Sequence, residues 1–252
     1  MNEAIQPLLN LALTVALISA VAYTLHKCRR IHLKLFEAEQ RADERSQNLF
    51  AQVEALLALN KDLDLHAALP ATRGWAGSPD FLRHVQRAAM RLKPESIVEC
   101  SSGVSTIVLA RAAQLNSRGH VFSLEHDPVY AQKTRDELAR QGLQAHATVL
   151  DAPLRPHALK CGEWKWYETA GLPATIDLLV IDGPPWNTQP LARYPAVAVL
   201  DTRLSEGGRV ILDDANRPDE QEAVRRWGSE FGFVPEESLH AEKGIVLLRR
   251  RT

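Results

Sequence analysis

The clearest pattern in the chain is at its start, where no charged residue occurs from Ala4 to Leu25 and residues 7–25 form a nearly continuous apolar run. A run of that length spans the hydrocarbon of a bilayer as a helix. Only Glu3 precedes it, whereas Lys27, Arg29, Arg30 and Lys34 follow. A cleaved signal peptide carries its basic residues ahead of the apolar stretch, the reverse of this layout, so we expect a retained anchor. Positive flanks stay cytoplasmic, which puts residues 1–6 outside, one span at 7–25 and the rest in the cytoplasm of an inner or plasma membrane.

From residue 31 to about 67 there is no Gly or Pro, and Glu, Gln, Ala, Leu and Arg dominate. The composition predicts one long helix, a stalk over 26–68. Leu35, Ala42, Leu49, Leu56 and Leu63 recur every seven residues, with Val53 and Asn60 between them, which fits a short coiled coil pairing copies of the chain. Glu39 and Ser46 interrupt the upper seam, so an amphipathic stalk packed on its own domain stands as the equal alternative.

Residues 69–80 hold two prolines and two glycines and read as a linker, and 81–92 has helical periodicity. Beyond it, apolar runs at 96–100, 120–126, 147–151, 176–182, 208–214 and 244–250 alternate with helical patterns at 105–116, 128–141, 191–203 and 219–232. Strands alternating with helices predict an α/β domain over 69–252 with a doubly wound, mainly parallel sheet. Ligands of such sheets lie beyond the carboxyl ends of the strands.

Composition adds exclusions. The 252 residues are 45% hydrophobic and 24% charged, which is globular material. Thirty basic against 31 acidic residues give a net charge of −1, so nothing general draws the protein to nucleic acid. Cys28, Cys100 and Cys161 are too few and too scattered for a disulfide framework or a zinc site. Cys28 lies at the membrane boundary, where acylation is conceivable from position alone.

The predicted strands end in carboxylates: Glu99, Glu125, Asp151, Asp182 and the pair Asp213 and Asp214. Acids crowded at one sheet edge repel one another unless hydroxyls, amines or a cation satisfy them. A ligand with hydroxyls and positive charge suits such a rim.

Six fragments occur in order: ECSSGVST at 99–106, LEHD at 124–127, LD at 150–151, IDGPP at 181–185, RYPA at 193–196 and GGRVILDD at 207–214. Together they resemble the class I S-adenosylmethionine-dependent methyltransferases, in the branch with E-x-G-x-G-x-S-T and D-G-P-P motifs, over roughly Trp75 to Arg250. The resemblance implies a Rossmann-like seven-stranded sheet and S-adenosylmethionine as cofactor. It implies that Glu99 helps position the methionine end, that Ser101, Ser102 and Gly103 pass beside it, that Glu125 accepts from the ribose hydroxyls, that Asp151 reads the adenine amine and that Asp182 faces the transfer site as the catalytic residue. Ser101 departs from the first glycine of the motif. A serine there is cheap if φ is negative and costly if φ is positive.

Methyl transfer from a sulfonium needs alignment of the acceptor and, for an oxygen acceptor, removal of its proton. Asp182, Asp213 and Asp214 are similar to the acid set with which catechol-type O-methyltransferases hold a divalent ion, and Mg²⁺ prefers such oxygens. The DGPP motif and the acid at 214 depart from that pattern, leaving Asp182 alone as the alternative. His120 and His126 are weaker base candidates. Trp164, Trp166, Tyr167 and Trp186 are either an acceptor wall or packing, and Arg193 either holds an anion or makes an internal ion pair. The expectation is a membrane-anchored methyltransferase, O-methylating a small or lipid-linked envelope acceptor at the cytoplasmic face. Its rival is an inactive methyltransferase-like scaffold that binds a protein partner. No NPPY-like motif supports a nucleic-acid substrate.

Overall fold

The computed structural model describes residues 5–65, 67–72, 74, 76–160, 162–239 and 241–251. Residues 1–4 of the expected outer segment, and Trp75 and Cys161, lie outside them. The described chain divides into two units, residues 1–50 and 51–252.

The first unit is helix throughout its described residues. It belongs to α1 (Ile5–Leu63), which has no Gly or Pro breaker after its first turn. An 18-residue window of α1 has a mean hydropathy of 2.0 with none of it buried, so this helix is long and apolar enough to cross a membrane.

The second unit begins with the last turns of α1, where Gln52, Ala55, Leu59 and Leu63 are buried at helical spacing. Leu59 and Leu63 join Phe81, Leu82 and Val85 of α2 (Pro79–Leu92) in one core. This buried stripe shares Leu63 with the expected seam, whereas Leu49 and Val53 are exposed and Leu56 is half-buried.

A seven-stranded sheet has the order β3-β2-β1-β6-β7-β9-β8. Strands β1 (Ser96–Cys100), β2 (His120–Glu125), β3 (Ala147–Asp151), β6 (Ile176–Ile181) and β7 (Leu204–Asp213) are mutually parallel. β9 (Ile245–Arg250) runs antiparallel between β7 and β8 (Phe233–Leu239). Helices α2, α3 (Val104–Asn116) and α4 (Pro128–Arg140) contribute to one core layer. Helices α5 (Pro195–Leu200) and α6 (Pro218–Phe231) contribute to the other. Val98 and Leu179 face one layer while Ile97 and Val180 face the other, the alternation that a sheet covered on both sides requires.

Three elements depart from the sequence reading. β8 contains Pro235 and adjacent glutamates and has a register shift between Pro235 and Glu237, features a sheet tolerates at an edge but which erase apolar alternation. A separate hairpin, β4 (Leu154–Leu159) and β5 (Gly162–Tyr167), occupies the aromatic segment after β3. The helix expected over 191–203 is shortened to α5 and a 3₁₀ turn at Asp201–Arg203, because Leu191 takes φ +52° and Pro195 must start a helix rather than sit inside one.

The chain winds from β1 outwards to β3, then returns to place β6 on the other side of β1. The carboxyl ends of β1 and β6 thus flank a topological switch point, where neighbouring loops diverge and leave a crevice.

Candidate active site

A cavity of about 600 Å³ opens at that point. Ser101 and Ser102 follow β1, Glu125 and His126 end β2, Asp182 and Gly183 follow β6, and Asp214 follows β7; all of them line it. Of the remaining expected site residues, Glu99 is fully buried beneath the loop, Gly103 starts α3, and Asp213 is buried. None of these three lines the cavity.

Glu99 lies in a nest of hydroxyls. Thr106 Oγ1 and Ser123 Oγ both donate to its Oε2 at 2.6 Å, while Oε1 is buried without a partner. Burial raises its pKa to about 7 against the opposing pull of Ser105, Ser123 and Thr106. Thr106 Oγ1 also accepts from the Gly103 amide at 3.0 Å, so one threonine ties the helix start to the acid.

The loop between Glu99 and α3 is strained at one residue. Ser101 has φ +103°, the left-handed side that glycine enters freely and serine does not. This is the costly case for the serine that replaces the motif's first glycine. The position is over-determined: the Ser101 amide donates to Leu124 O at 3.0 Å, and a Cβ on Gly183 would meet both the Ser101 Cβ and the Tyr167 hydroxyl.

Ser102 turns the other way, towards β2. Its amide and hydroxyl donate to Glu125 Oε2 at 3.1 and 2.9 Å, and its hydroxyl is 3.1 Å from Thr134 Oγ1 on α4. Glu125 Oε1 accepts from the Asp127 amide at 3.0 Å and lies 3.1 Å from His126 Nδ1. Burial would raise the Glu125 pKa, but His126, the Asp127 amide and Ser102 outweigh it and hold the carboxyl below its ordinary value. The Glu125 carboxylate in turn raises the pKa of His126, against the effect of burial.

At the other end of the cavity, Asp182, Asp213 and Asp214 bring carboxylate oxygens within 4.8 Å of one another. Arg193, only 4% exposed, threads among them. Its Nη2 is 3.3 Å from Asp182 Oδ1 and 2.8 Å from Asp214 Oδ2, it donates to Asp182 O at 2.6 Å, and Nη1 donates to Asp213 O at 2.8 Å. Of the two roles open to Arg193, the geometry is that of an internal ion pair. Arg217 adds a contact of 2.9 Å to Asp214. Burial raises the pKa of Asp182 against the pull of Arg193. Burial, then the Asp182 and Asp214 charges, raise Asp213 to about 8.

These carboxylates fit a divalent cation in their donor chemistry. Both Asp213 oxygens are buried without a hydrogen-bond partner, while Arg193 and Arg217 lie against Asp214 Oδ2 and Lys243 Nζ stands 3.9 Å from Asp214 Oδ1. Hard oxygens left unpaired in this way are what Mg²⁺ takes as ligands.

Asp151 stands apart: its carboxylate is exposed at the end of β3, pairs with Arg135 at 2.8 Å and does not line the cavity. His120 is also remote, bonded to Thr148 at 2.8 Å. Among the aromatic candidates Trp166 and Tyr167 are fully buried core, whereas Trp186 is 63% exposed and lines the cavity. Tyr130, Asn187, Thr188, Arg217 and Lys243 line it too and were not anticipated. Arg217 follows the acid pair closely enough to have been suspected, but nothing local marks Lys243, which reaches the site from the turn before β9.

Residues 98–215 match the model of a family described as a methyltransferase domain. The chain carries a methyltransferase domain. Among curated proteins none matches the sequence. Solved structures share the fold. SAH-bound methyltransferase PaMTH1 of Podospora anserina is 14% identical over 83% of this chain and 96% of its own, with a TM-score of 0.58. The SAH-complexed O-methyltransferase of Bacillus cereus is 20% identical over 80% and 91%, with a TM-score of 0.52. TomG of Streptomyces achromogenes, an O-methyltransferase of tomaymycin synthesis in complex with SAM, is 16% identical over 80% and 90%, with a TM-score of 0.50. The matched residues of the methyltransferase domain run from inside β1 to just past β7, so they include every strand end that faces the cavity.

Proposed function

We propose that the protein is an S-adenosylmethionine-dependent O-methyltransferase, held at the membrane by residues 7–25 and acting at the cytoplasmic face on a small or lipid-linked envelope acceptor. The observation that carries this reading is a single cavity at the switch point with Glu125 at one end and Asp182 at the other. Bound S-adenosylmethionine would supply an electrophilic methyl group on a sulfonium.

Glu125 is the ribose acceptor in this reading. Its oxygens already take protein donors, so Ser102 Oγ must turn from Glu125 to Thr134, 3.1 Å away, to free a lone pair for a ribose hydroxyl. Ser101 and Gly103 shape the turn beside the methionine portion, and Glu99 braces it from below. Asp182 would accept the proton of an acceptor hydroxyl, and its raised pKa makes that carboxylate a stronger base than a free one. Arg193 fixes Asp182 through both its backbone and side-chain oxygens. In the alternative arrangement a divalent ion held by Asp182, Asp213 and Asp214 would itself acidify and orient the acceptor hydroxyl, and Asp182 would then be a ligand rather than the base. Asp151 keeps a role towards adenine only if Arg135 releases it.

Calorimetric titration of S-adenosylhomocysteine into the full chain in neutral detergent, with Glu125→Ala beside it, tests the reading. Micromolar binding that falls at least tenfold in the variant is expected. Folded protein that binds neither S-adenosylhomocysteine nor S-adenosylmethionine, with or without Mg²⁺, would favour the non-catalytic scaffold.

A further inference from the structure

Both oxygens of Glu125 are taken by protein donors. Oε2 accepts from the amide and the hydroxyl of Ser102, and Oε1 accepts from the Asp127 amide. The fourth neighbour is His126, whose Nδ1 stands 3.1 Å from Oε1. Two of these groups are backbone amides, fixed by the turns that carry them. The other two are side chains, which can leave. A ribose offers two adjacent hydroxyls, and a carboxylate holds them best with one on each oxygen. Ser102 Oγ can leave Oε2 for Thr134. At Oε1 the side chain that has to yield is His126.

The contact between His126 and Glu125 is of a kind that a proton controls. Nδ1 is buried and lies off the line of a hydrogen bond to Oε1, so charge rather than alignment holds the ring there. An imidazolium carries that charge. A neutral ring with its proton on Nε2 turns a lone pair towards the carboxylate and is repelled. The ring has space in which to turn, because its side chain is 33% exposed and lines the cavity. Besides Glu125, the charge that faces it is Asp127, the next residue. Tyr167 of β5 meets the imidazole at an angle, with ring centroids 6.0 Å apart, and burial raises its pKa so that it stays neutral. Asp182, Asp214, Arg193, Arg217 and Lys243 line the other end of the cavity. Glu125 first, and Asp127 after it, hold the His126 pKa above its ordinary 6.5 against the effect of burial.

Resting on Glu125 as the ribose acceptor, we propose that His126 gates the cofactor site: as an imidazolium it occupies Glu125 Oε1, and on losing its proton it yields that oxygen to a ribose hydroxyl. Binding then releases one proton from His126. By linkage, affinity rises with pH until His126 of the free protein has lost its proton, and is level above that point. Because Glu125 and Asp127 retain the proton beyond the ordinary histidine range, the rise extends through neutral pH.

Calorimetric titration of 5′-methylthioadenosine into the full chain in neutral detergent tests the gate, because this probe has the ribose and no group that ionises near neutral pH. Binding at least about fivefold tighter at pH 8 than at pH 6 is expected, with about one proton released per site at pH 6 when buffers of different ionisation enthalpy are compared. His126→Phe keeps a ring against Tyr167 without a charge, and its affinity is expected to be level across that range and close to the wild-type value at pH 8. His126→Gln, neutral at every pH, is expected to be level as well. A slope that persists in both variants assigns the dependence to another acid, such as Glu99 with its pKa of about 7, and overturns the gate while leaving Glu125 as the ribose acceptor. Wild-type affinity that is level or falls with rising pH overturns it too. Failure of the wild-type chain to bind either methylthioadenosine or S-adenosylhomocysteine at any pH overturns the reading on which the gate rests.

Discussion

Ser101 holds φ +103° at the lip of the cavity, and a side chain there costs about 1 kcal/mol relative to glycine. Ser101→Gly is therefore expected to raise stability by roughly that amount in chemical denaturation. A loss of stability would mean that the serine makes a compensating contact. The acids beside it set the pH dependence. Asp213 titrates at about 8 in the folded protein against an ordinary 3.8, and Glu99 at about 7 against 4.5. Across those windows the folded chain keeps protons that the unfolded chain has released, so stability contributed by these groups is complete below about pH 4 and is lost as pH rises towards 8. Asp213→Asn, which cannot ionise, is expected to flatten the fall of the thermal midpoint between about pH 5 and 8; an unchanged slope would show that Asp213 is ionised throughout.

At the scale of elements, the last turns of α1 belong to the catalytic unit. Leu59 and Leu63 are fully buried, and the Leu63 and Asp64 carbonyls accept from Arg111 Nε and Nη2, each at 2.8 Å. A chain starting at Ala51 is expected to fold with near-full stability, and one starting at Ala71 to lose roughly 3–6 kcal/mol from the two leucines alone. Equal denaturation midpoints would refute that. The sequence did not reveal this boundary, because the stripe at 52, 55, 59 and 63 is covered by residues of α2 and α3 that are distant in sequence. Edge strand β8 was invisible for a related reason. An edge needs neither continuous burial nor every backbone donor, so Pro235 and its bulge are tolerated where the sheet context, absent from local sequence, permits them.

For the whole molecule, the apolar segment of α1 predicts that the full chain sediments with membranes, resists alkaline carbonate and is released by detergent, whereas a chain from Ala51 stays in the supernatant. Release of the full chain by carbonate would sink the anchor. The span, the alternation of strands and helices, and the carboxylates at strand ends were readable in order along the chain because each depends on local periodicity or on a residue's place in its own element. Sequence by itself therefore determined a long apolar helix, an α/β domain and carboxylates at the strand ends, Glu99, Glu125, Asp151, Asp182, Asp213 and Asp214. Only the tertiary structure decided that Arg193 stands among the last three of these, that Ser102 and His126 share Glu125, that Asp151 is turned to Arg135, and that Lys243 lines the cavity. Those pairings join residues far apart in sequence, and a charge takes whichever partner the packed core leaves within reach.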